Sequence, residues 1–279
     1  MTGLLTSERD LKNALEGVDT LFHFLEQEEP GPGGRGRMKS FNVQGTATLL
    51  KIARMQGVRQ VVFKSDWQVY GPAMKPLVAG ETPLRPRTPL GRDKKKAEGI
   101  CLAPDKQSDM IVTVLRPAPV LGPGLDNRLF LLIFFLSLGQ EEENRSVIIE
   151  GGENKIEFVS ADDLARAALL AMDSRAGGVF NISGGNPVST GEIIGRCKNE
   201  LNPSMVIKDI SWNRAKMCSV VSRLVGLHYL SREHLQLLRY NLLFDTTSSR
   251  NKLGWEPSQD SPSVFIQTAR WYRDAHPAV

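Results

Sequence analysis

Apolar positions along the chain fall into short runs separated by polar or glycine- and proline-rich stretches. Leu11 to Leu15 reads as the end of a short helix after the polar run Thr6 to Asp10. Val18 to Phe24 (VDTLFHF) is a compact β-prone run after Gly17 and predicts a strand. Residues 26–37 (EQEEPGPGGRGR) break all regularity, and Pro30 to Gly34 predict a flexible surface loop. Asn42 to Met55 predicts a helix with Leu49, Leu50, Ile52 and Ala53 on its apolar face and Gly57 as its stop. Gln60 to Phe63 predicts the next strand. Strand, crossover and strand together argue for a parallel sheet with helices on its faces.

Five prolines between Pro72 and Pro89 predict a long irregular loop. Arg92 to Leu102 predicts a helix. Ile111 to Leu115 (IVTVL) is a fully apolar strand pattern, with Arg116 and Pro117 expected to end it and Pro119 to Gly124 to turn the chain. A helix at Arg128 to Leu138 and strands at Ser146 to Ile149 and Ile156 to Val159 follow, with a turn at Gly151 and Gly152. Ala161 to Met172 is amphipathic, and the acids of its first turn complement the helix dipole. Val179 to Ile182 predicts a strand. Thr190 to Leu201, most of Leu224 to Tyr240, and Pro262 to Ala275 predict helices.

Composition narrows the class. The 279 residues suit one large domain or a core with a small second unit. A net charge of +4 from 35 basic and 31 acidic side chains spread along the chain argues against a nucleic-acid partner. Three cysteines cannot build a disulfide framework, which points to a reducing, cytoplasmic compartment. The most apolar stretch, Leu129 to Leu138, is half the roughly 20 residues a membrane-spanning helix needs, so it predicts a buried helix rather than a membrane contact. His228, His234 and His276 lack metal-ligand spacing with cysteines or acids, so no metal is expected.

Six segments, in order, carry a resemblance. They are Gly17-Val-Asp19 before the first strand, Asn42-Val-Gln-Gly45-Thr46, and Ser65-Asp66-Trp67-Gln68-Val69-Tyr70-Gly71. Leu115-Arg116-Pro117 through Gly122-Pro123-Gly124, Phe158-Val159 with Asp162-Asp163-Leu164-Ala165, and Leu253-Gly254-Trp255-Glu256-Pro257 complete the set. Together they resemble the extended short-chain dehydrogenase/reductases, the NAD-dependent epimerase/dehydratase group, with a flavour of its 3β-hydroxysteroid dehydrogenase-like branch.

The resemblance implies an α/β fold: an incomplete Rossmann-like parallel sheet with flanking helices and a small C-terminal α/β substrate-lid region. Residues 1–125 would form the core, completed by segments near 146–183 and 243–257. Residues 126–145 and 187–241 would form the lid, and 258–279 a C-terminal helix. The implied cofactor is NAD or NADP. The implied cofactor contacts are His23, Asn42, Lys94, Pro117 and Val120.

Three departures qualify that picture. The glycine-rich dinucleotide fingerprint is absent, since the resemblance begins only at Gly3-Leu4-Leu5-Thr6. The family's catalytic Tyr and Lys sit four apart on a helix; here Lys94 is kept and Leu90 stands in the tyrosine position. The family's catalytic Ser/Thr position holds Asp66. Lys94 and Asp66 are therefore the proton carriers expected of any surviving catalysis. Tyr70 is not a substitute by position.

Plainer readings stand beside these. His23 can be a packed strand-end residue, Asn42 a helix cap, Asp163 a cap of its own helix, and Lys94 part of a solvated run Arg92–Lys96. The resulting expectation is an impaired NAD(P)-dependent oxidoreductase, epimerase or dehydratase homologue. The alternatives are a non-catalytic scaffold subunit and a truncated product. The apolar strand 18–24 would be a sheet edge without a protective lysine or proline, which predicts that the sequence is a fragment of a longer product or that a homo- or hetero-oligomeric partner, or its own N-terminus, covers that edge. Apolar residues between Met205 and Val225 suit a small hydrophobic or sterol-like substrate.

Overall fold

The computed structural model describes residues 7–26, 40–72, 75–103, 109–125, 145–215, 217 and 238–275. The first half runs α1 (Glu8–Leu15), β1 (Thr20–His23), α2 (Thr46–Met55), β2 (Gln60–Lys64), β3 (Leu77–Val78), α3 (Pro89–Cys101), β4 (Ile111–Pro117) and β5 (Val120–Leu121). The second half begins with β6 (Arg145–Ile149), β7 (Lys155–Ile156), β8 (Val159–Ser160), α4 (Ala161–Ser174) and β9 (Gly178–Ile182). It continues through β10 (Val188–Ser189), α5 (Thr190–Leu201), β11 (Val206–Ile210), β12 (Phe244–Asp245), α6 (Thr247–Leu253) and α7 (Ser261–Ala275).

Strands β1, β2, β4 and β9 form one parallel sheet in that order. Successive side chains of a strand point to opposite faces, so an apolar strand must be covered twice. Val61 and Phe63 of β2 and Val114 of β4 pack with Leu49, Leu50, Ile52 and Ala53 of α2 and with Ala97 and Cys101 of α3. Val62 and Leu115 point the other way, into a second core with Ala167, Ala168 and Ala171 of α4, Trp255 and Phe265. The layers are helix, sheet, helix. This is the α/β Rossmann-like arrangement with flanking helices.

Several boundaries differ from the sequence pattern. α3 begins at Pro89, not Arg92, because Thr88 caps it by accepting from the Gly91 N–H at 3.0 Å and proline is preorganised for a first helical position. β4 runs through Arg116 and Pro117 rather than stopping at Leu115. β2 ends opposite Leu115, so beyond it Pro117 pairs only with Ile182 of β9, and its missing N–H leaves no gap on the β2 side. The 156–159 run is two short strands. One is paired with β10 and the other with β5.

Inside the proline-rich loop, Leu77–Val78 pairs in parallel with Phe244–Asp245, and β11 pairs with β6. The patterns at 77–78, 206–210 and 244–245 were too short or too polar to signal strands. The expected helix at 128–138, the glycine–proline run at 30–34 and most of the expected helix at 224–240 lie outside the described residues.

Two glycines are required where the chain passes itself. Gly71 has φ +75°, and a Cβ there would collide with the Arg85 carbonyl oxygen. A Cβ on Gly91 would collide with the Gln68 carbonyl oxygen. These close approaches seat the Asp66–Gly71 segment against the start of α3.

Candidate functional site

Lys94 lies on α3, and its side chain is 1% exposed. The solvated-run reading of Arg92–Lys96 therefore fails for this residue. Its neighbours Arg92, Lys95 and Lys96 are exposed, and the helix turns Lys94 inward. The Lys94 ammonium donates to the Lys64 carbonyl oxygen at 2.9 Å and lies 5.1 Å from the Phe63 ring centroid. Its counter-ion is Glu26, whose Oε2 is 2.9 Å away. The Lys64 ammonium reaches Glu26 Oε1 at 2.5 Å. One carboxylate thus serves two ammonium groups. Burial pushes the Lys94 pKa down, and Glu26 opposes that shift. Burial would raise the Glu26 carboxyl, but Lys94 and Lys64 together carry it below its ordinary value.

Glu26 was hidden in the sequence. It opens the run read as a flexible surface loop, yet its carboxylate is held between β2 and α3. The available signal was an acid three residues beyond His23, past the carboxyl end of a parallel strand, where α/β sheets place their chemistry.

Asp66 is half-buried and caps the one-turn helix Trp67–Val69, its carboxylate accepting from the Gln68 N–H at 2.8 Å. Burial, then the negative charge of Glu26, pushes its pKa up to about 7, with Lys64 and Lys94 opposing. It can hold or release a proton near neutrality. Ser65 turns the other way, and its hydroxyl donates to Glu98.

His23 is buried at the end of β1, with Nε2 2.8 Å from Thr46 Oγ1. The single hydroxyl proton of Thr46 goes to the Asn42 carbonyl at 2.7 Å. The histidine must then donate through Nε2. Its Nδ1 is an unprotonated, buried atom without a hydrogen-bond partner among the described residues. Burial, then the charge of Lys94, lowers its pKa to about 4, so the ring is neutral at physiological pH. Asn42 is buried in a π-helical turn (Ser40–Gly45) that leads into α2.

His23, Thr46 and Asn42 thus form one chain of contacts beside Lys94. Pro117 and Val120 belong to different contacts, in register with Ile182 and Val159.

Leu90 is buried one turn before Lys94, with no proton to transfer. The Tyr70 hydroxyl donates to Asn181 Oδ1 at 2.6 Å and accepts from Arg116 at 3.0 Å. Arg116 also makes two hydrogen bonds to Glu98, at 2.9 and 2.7 Å. Tyr70 is therefore built into a buried structural network. Asp163 does not cap its own helix. Ser160 does, and the Asp163 carboxylate instead accepts from the Ser258 backbone and hydroxyl.

Elsewhere, a cleft of about 310 Å³ is lined by residues including Glu150, Glu153, Asn154 and Trp212, none of them in the Lys94 cluster. Among the described residues no group of three or more His, Cys, Asp or Glu could hold a metal ion, and no helix is long and apolar enough to cross a membrane.

The chain is similar to several known proteins. UDP-glucose 4-epimerase of Vibrio cholerae is 27% identical over 261 residues, 91% of this chain and 75% of that protein. Sterol demethylase protein B of Methylococcus capsulatus is 25% identical over 294 residues, 98% of this chain and 84% of that protein. MoeE5, solved with UDP-glucuronic acid and NAD, superposes with a TM-score of 0.75 at 22% identity, covering 99% of this chain and 85% of its own. RMD from Pseudomonas aeruginosa, solved with NADPH, gives 0.76 at 17% identity, covering 99% and 88%. These structures share the fold and carry NAD or NADPH. The family model for NAD dependent epimerase/dehydratases matches residues 1–183, so this chain belongs to the NAD-dependent epimerase/dehydratase family.

Proposed function

We propose that this chain is an epimerase/dehydratase homologue whose NAD(P)-dependent chemistry is impaired in the form described. The observation that carries the reading is the state of Lys94: its ammonium is committed to Glu26 and the Lys64 carbonyl, and Leu90 stands one turn before it. Family-type hydride transfer to or from a carbonyl needs a group that moves a proton beside the reacting carbon. Leucine offers none and Tyr70 is tied to Asn181 and Arg116, which leaves Asp66 as the group near Lys94 that can exchange a proton near neutrality.

The residues around Lys94 do not fit an NAD or NADP molecule in this conformation. The lysine that would meet a cofactor hydroxyl carries the Glu26 carboxylate instead. Titration of the 279-residue chain with NADH and NADPH, followed by nucleotide fluorescence, tests this. The expected result is no saturable binding up to about millimolar nucleotide. Binding in the micromolar range, with turnover lost in Lys94→Ala or Asp66→Ala, would overturn it.

A second reading, a scaffold subunit that pairs with a homologue or a second copy, rests on β1. Among the described residues this strand pairs only with β2, and Phe22 within it and Leu25 just past it are 40% and 59% exposed. Sedimentation of wild type against Phe22→Lys would show the loss of an oligomer if the edge is the contact. The relative named for sterol demethylation supports a small hydrophobic, sterol-like substrate, and with it the 3β-hydroxysteroid dehydrogenase-like branch.

A further inference from the structure

Lys64 and Lys94 come from different elements, β2 and α3, and aim both ammonium groups at one carboxylate. Two cations on one carboxylate leave a surplus positive charge while Asp66 is protonated, which a simple tether between elements does not need. The Lys64 carbonyl fixes the direction of the Lys94 ammonium, and the Phe63 ring backs it. Lys94 is therefore held in place by more than Glu26, while the contact that fixes the Lys64 ammonium is Glu26 itself. Glu26 itself lies outside any helix or strand, three residues after β1, and its side chain is 17% exposed against 1% for Lys94. The carboxylate closes the cluster from the solvent side. The location, past the carboxyl ends of adjacent parallel strands, is where open α/β sheets take their ligands.

We propose that Lys64 and Lys94 form an anion-binding subsite that Glu26 occupies in cis, and that a small carboxylate or phosphoryl group enters by displacing it. The subsite goes beyond the impaired-enzyme reading and does not depend on it, because it concerns binding of an anion without any redox step. Glu26 acts as an internal competitor, and ligand affinity is reduced by the fraction of time it stays in place. Asp66, facing the same lysines, adds a second negative charge when ionised and disfavours an incoming anion.

The test is rescue by an anion supplied from solution. Glu26→Ala removes the carboxylate that the two largely buried ammonium groups share, leaving Asp66 as the acid that faces them, and should lower Tm by several degrees. Sodium acetate, tenfold above its dissociation constant, should restore about 3 °C in this variant. Inorganic phosphate should act the same way. Neither should move wild type by a comparable amount against sodium chloride of equal ionic strength. The rescue should vanish in Glu26→Ala/Lys94→Met. Glu26→Gln, which keeps the side-chain size, gives the same comparison if Glu26→Ala does not fold. Equal shifts in wild type and variant, or no shift in either variant, would overturn the proposal.

Discussion

The Tyr70 hydroxyl and the Asn181 side chain meet at 2.6 Å across 111 positions of sequence, joining the segment after β2 to β9. Asn181 in turn donates to the carbonyls of Leu77 at 2.7 Å and Asp245 at 3.2 Å, so one amide holds β3 and β12 to the main sheet. The tyrosine of the Val69-Tyr70-Gly71 segment is thereby a structural residue. Tyr70→Phe leaves the buried Asn181 oxygen without its donor and should cost about 1–3 kcal/mol in urea unfolding. Nucleotide titrations should not change. A variant as stable as wild type would remove the structural assignment.

Arg116 and Glu98 form a buried pair with side chains 5% and 2% exposed, and Ser65 supplies a further hydrogen bond to the same carboxylate. Removing one partner strands the other charge away from water. Glu98→Ala should destabilise the chain by about 3–5 kcal/mol, measured by the shift of its denaturation midpoint. Arg116→Met combined with Glu98→Met should cost much less than either partner's loss alone, because no unpaired charge then remains.

Stability should depend on pH with two opposing slopes. Asp66 titrates near 7 in the folded chain against 3.8 ordinarily, so between those values the folded state holds the extra proton and stability falls as pH rises. His23 titrates near 4 when folded against 6.5 ordinarily, so there the unfolded state holds the extra proton and stability rises with pH. Asp66→Asn keeps an oxygen to accept from the Gln68 N–H and removes only the first slope, with Glu26, Lys64 and Lys94 facing the position in both proteins. The stability of the variant relative to wild type should therefore increase between about pH 4.5 and 7.5. A constant difference would contradict the raised pKa of Asp66.

Asp163 ties α4 to the segment before α7. Its carboxylate accepts from Ser258 N at 3.0 Å, from Ser258 Oγ at 2.8 Å and from Arg166 at 2.7 Å, while its own carbonyl accepts from the Trp255 indole at 3.0 Å. Asp163→Ala should cost about 1.5–3 kcal/mol, the range for hydrogen bonds to a charged group. Hydrogen exchange should quicken at Ser258 and Gln259 before it does at the sheet. Unchanged protection of those two amides would show that the carboxylate is dispensable.

Much of the main sheet was legible because its strands are apolar enough to be recognised one at a time. Val61, Val62 and Phe63 are buried on both faces, and such a run admits few alternatives to a parallel strand between helices. The Leu77–Val78 and Phe244–Asp245 pair was not legible, since two residues carry no period and pairing across more than 160 positions leaves no local trace. Lys94 was legible as a candidate from its place in a motif, and its burial was not. A lysine flanked by Arg92, Lys95 and Lys96 has the local composition of a solvated face.

The sequence by itself determined the α/β class, the positions of the main strands and helices, and the presence of Leu90 one helical turn before Lys94. Those properties are local: they follow from residue type, periodicity and motif order. Only the tertiary structure decided that Glu26 closes on Lys94 and Lys64, that Tyr70 belongs to Asn181 and Arg116, and that His23 stays neutral with a bare Nδ1. A side chain's charge state and partners depend on what surrounds it in space. Burial that strips water from one group makes a carboxylate 68 residues away in the chain its counter-ion, and no local pattern records that distance.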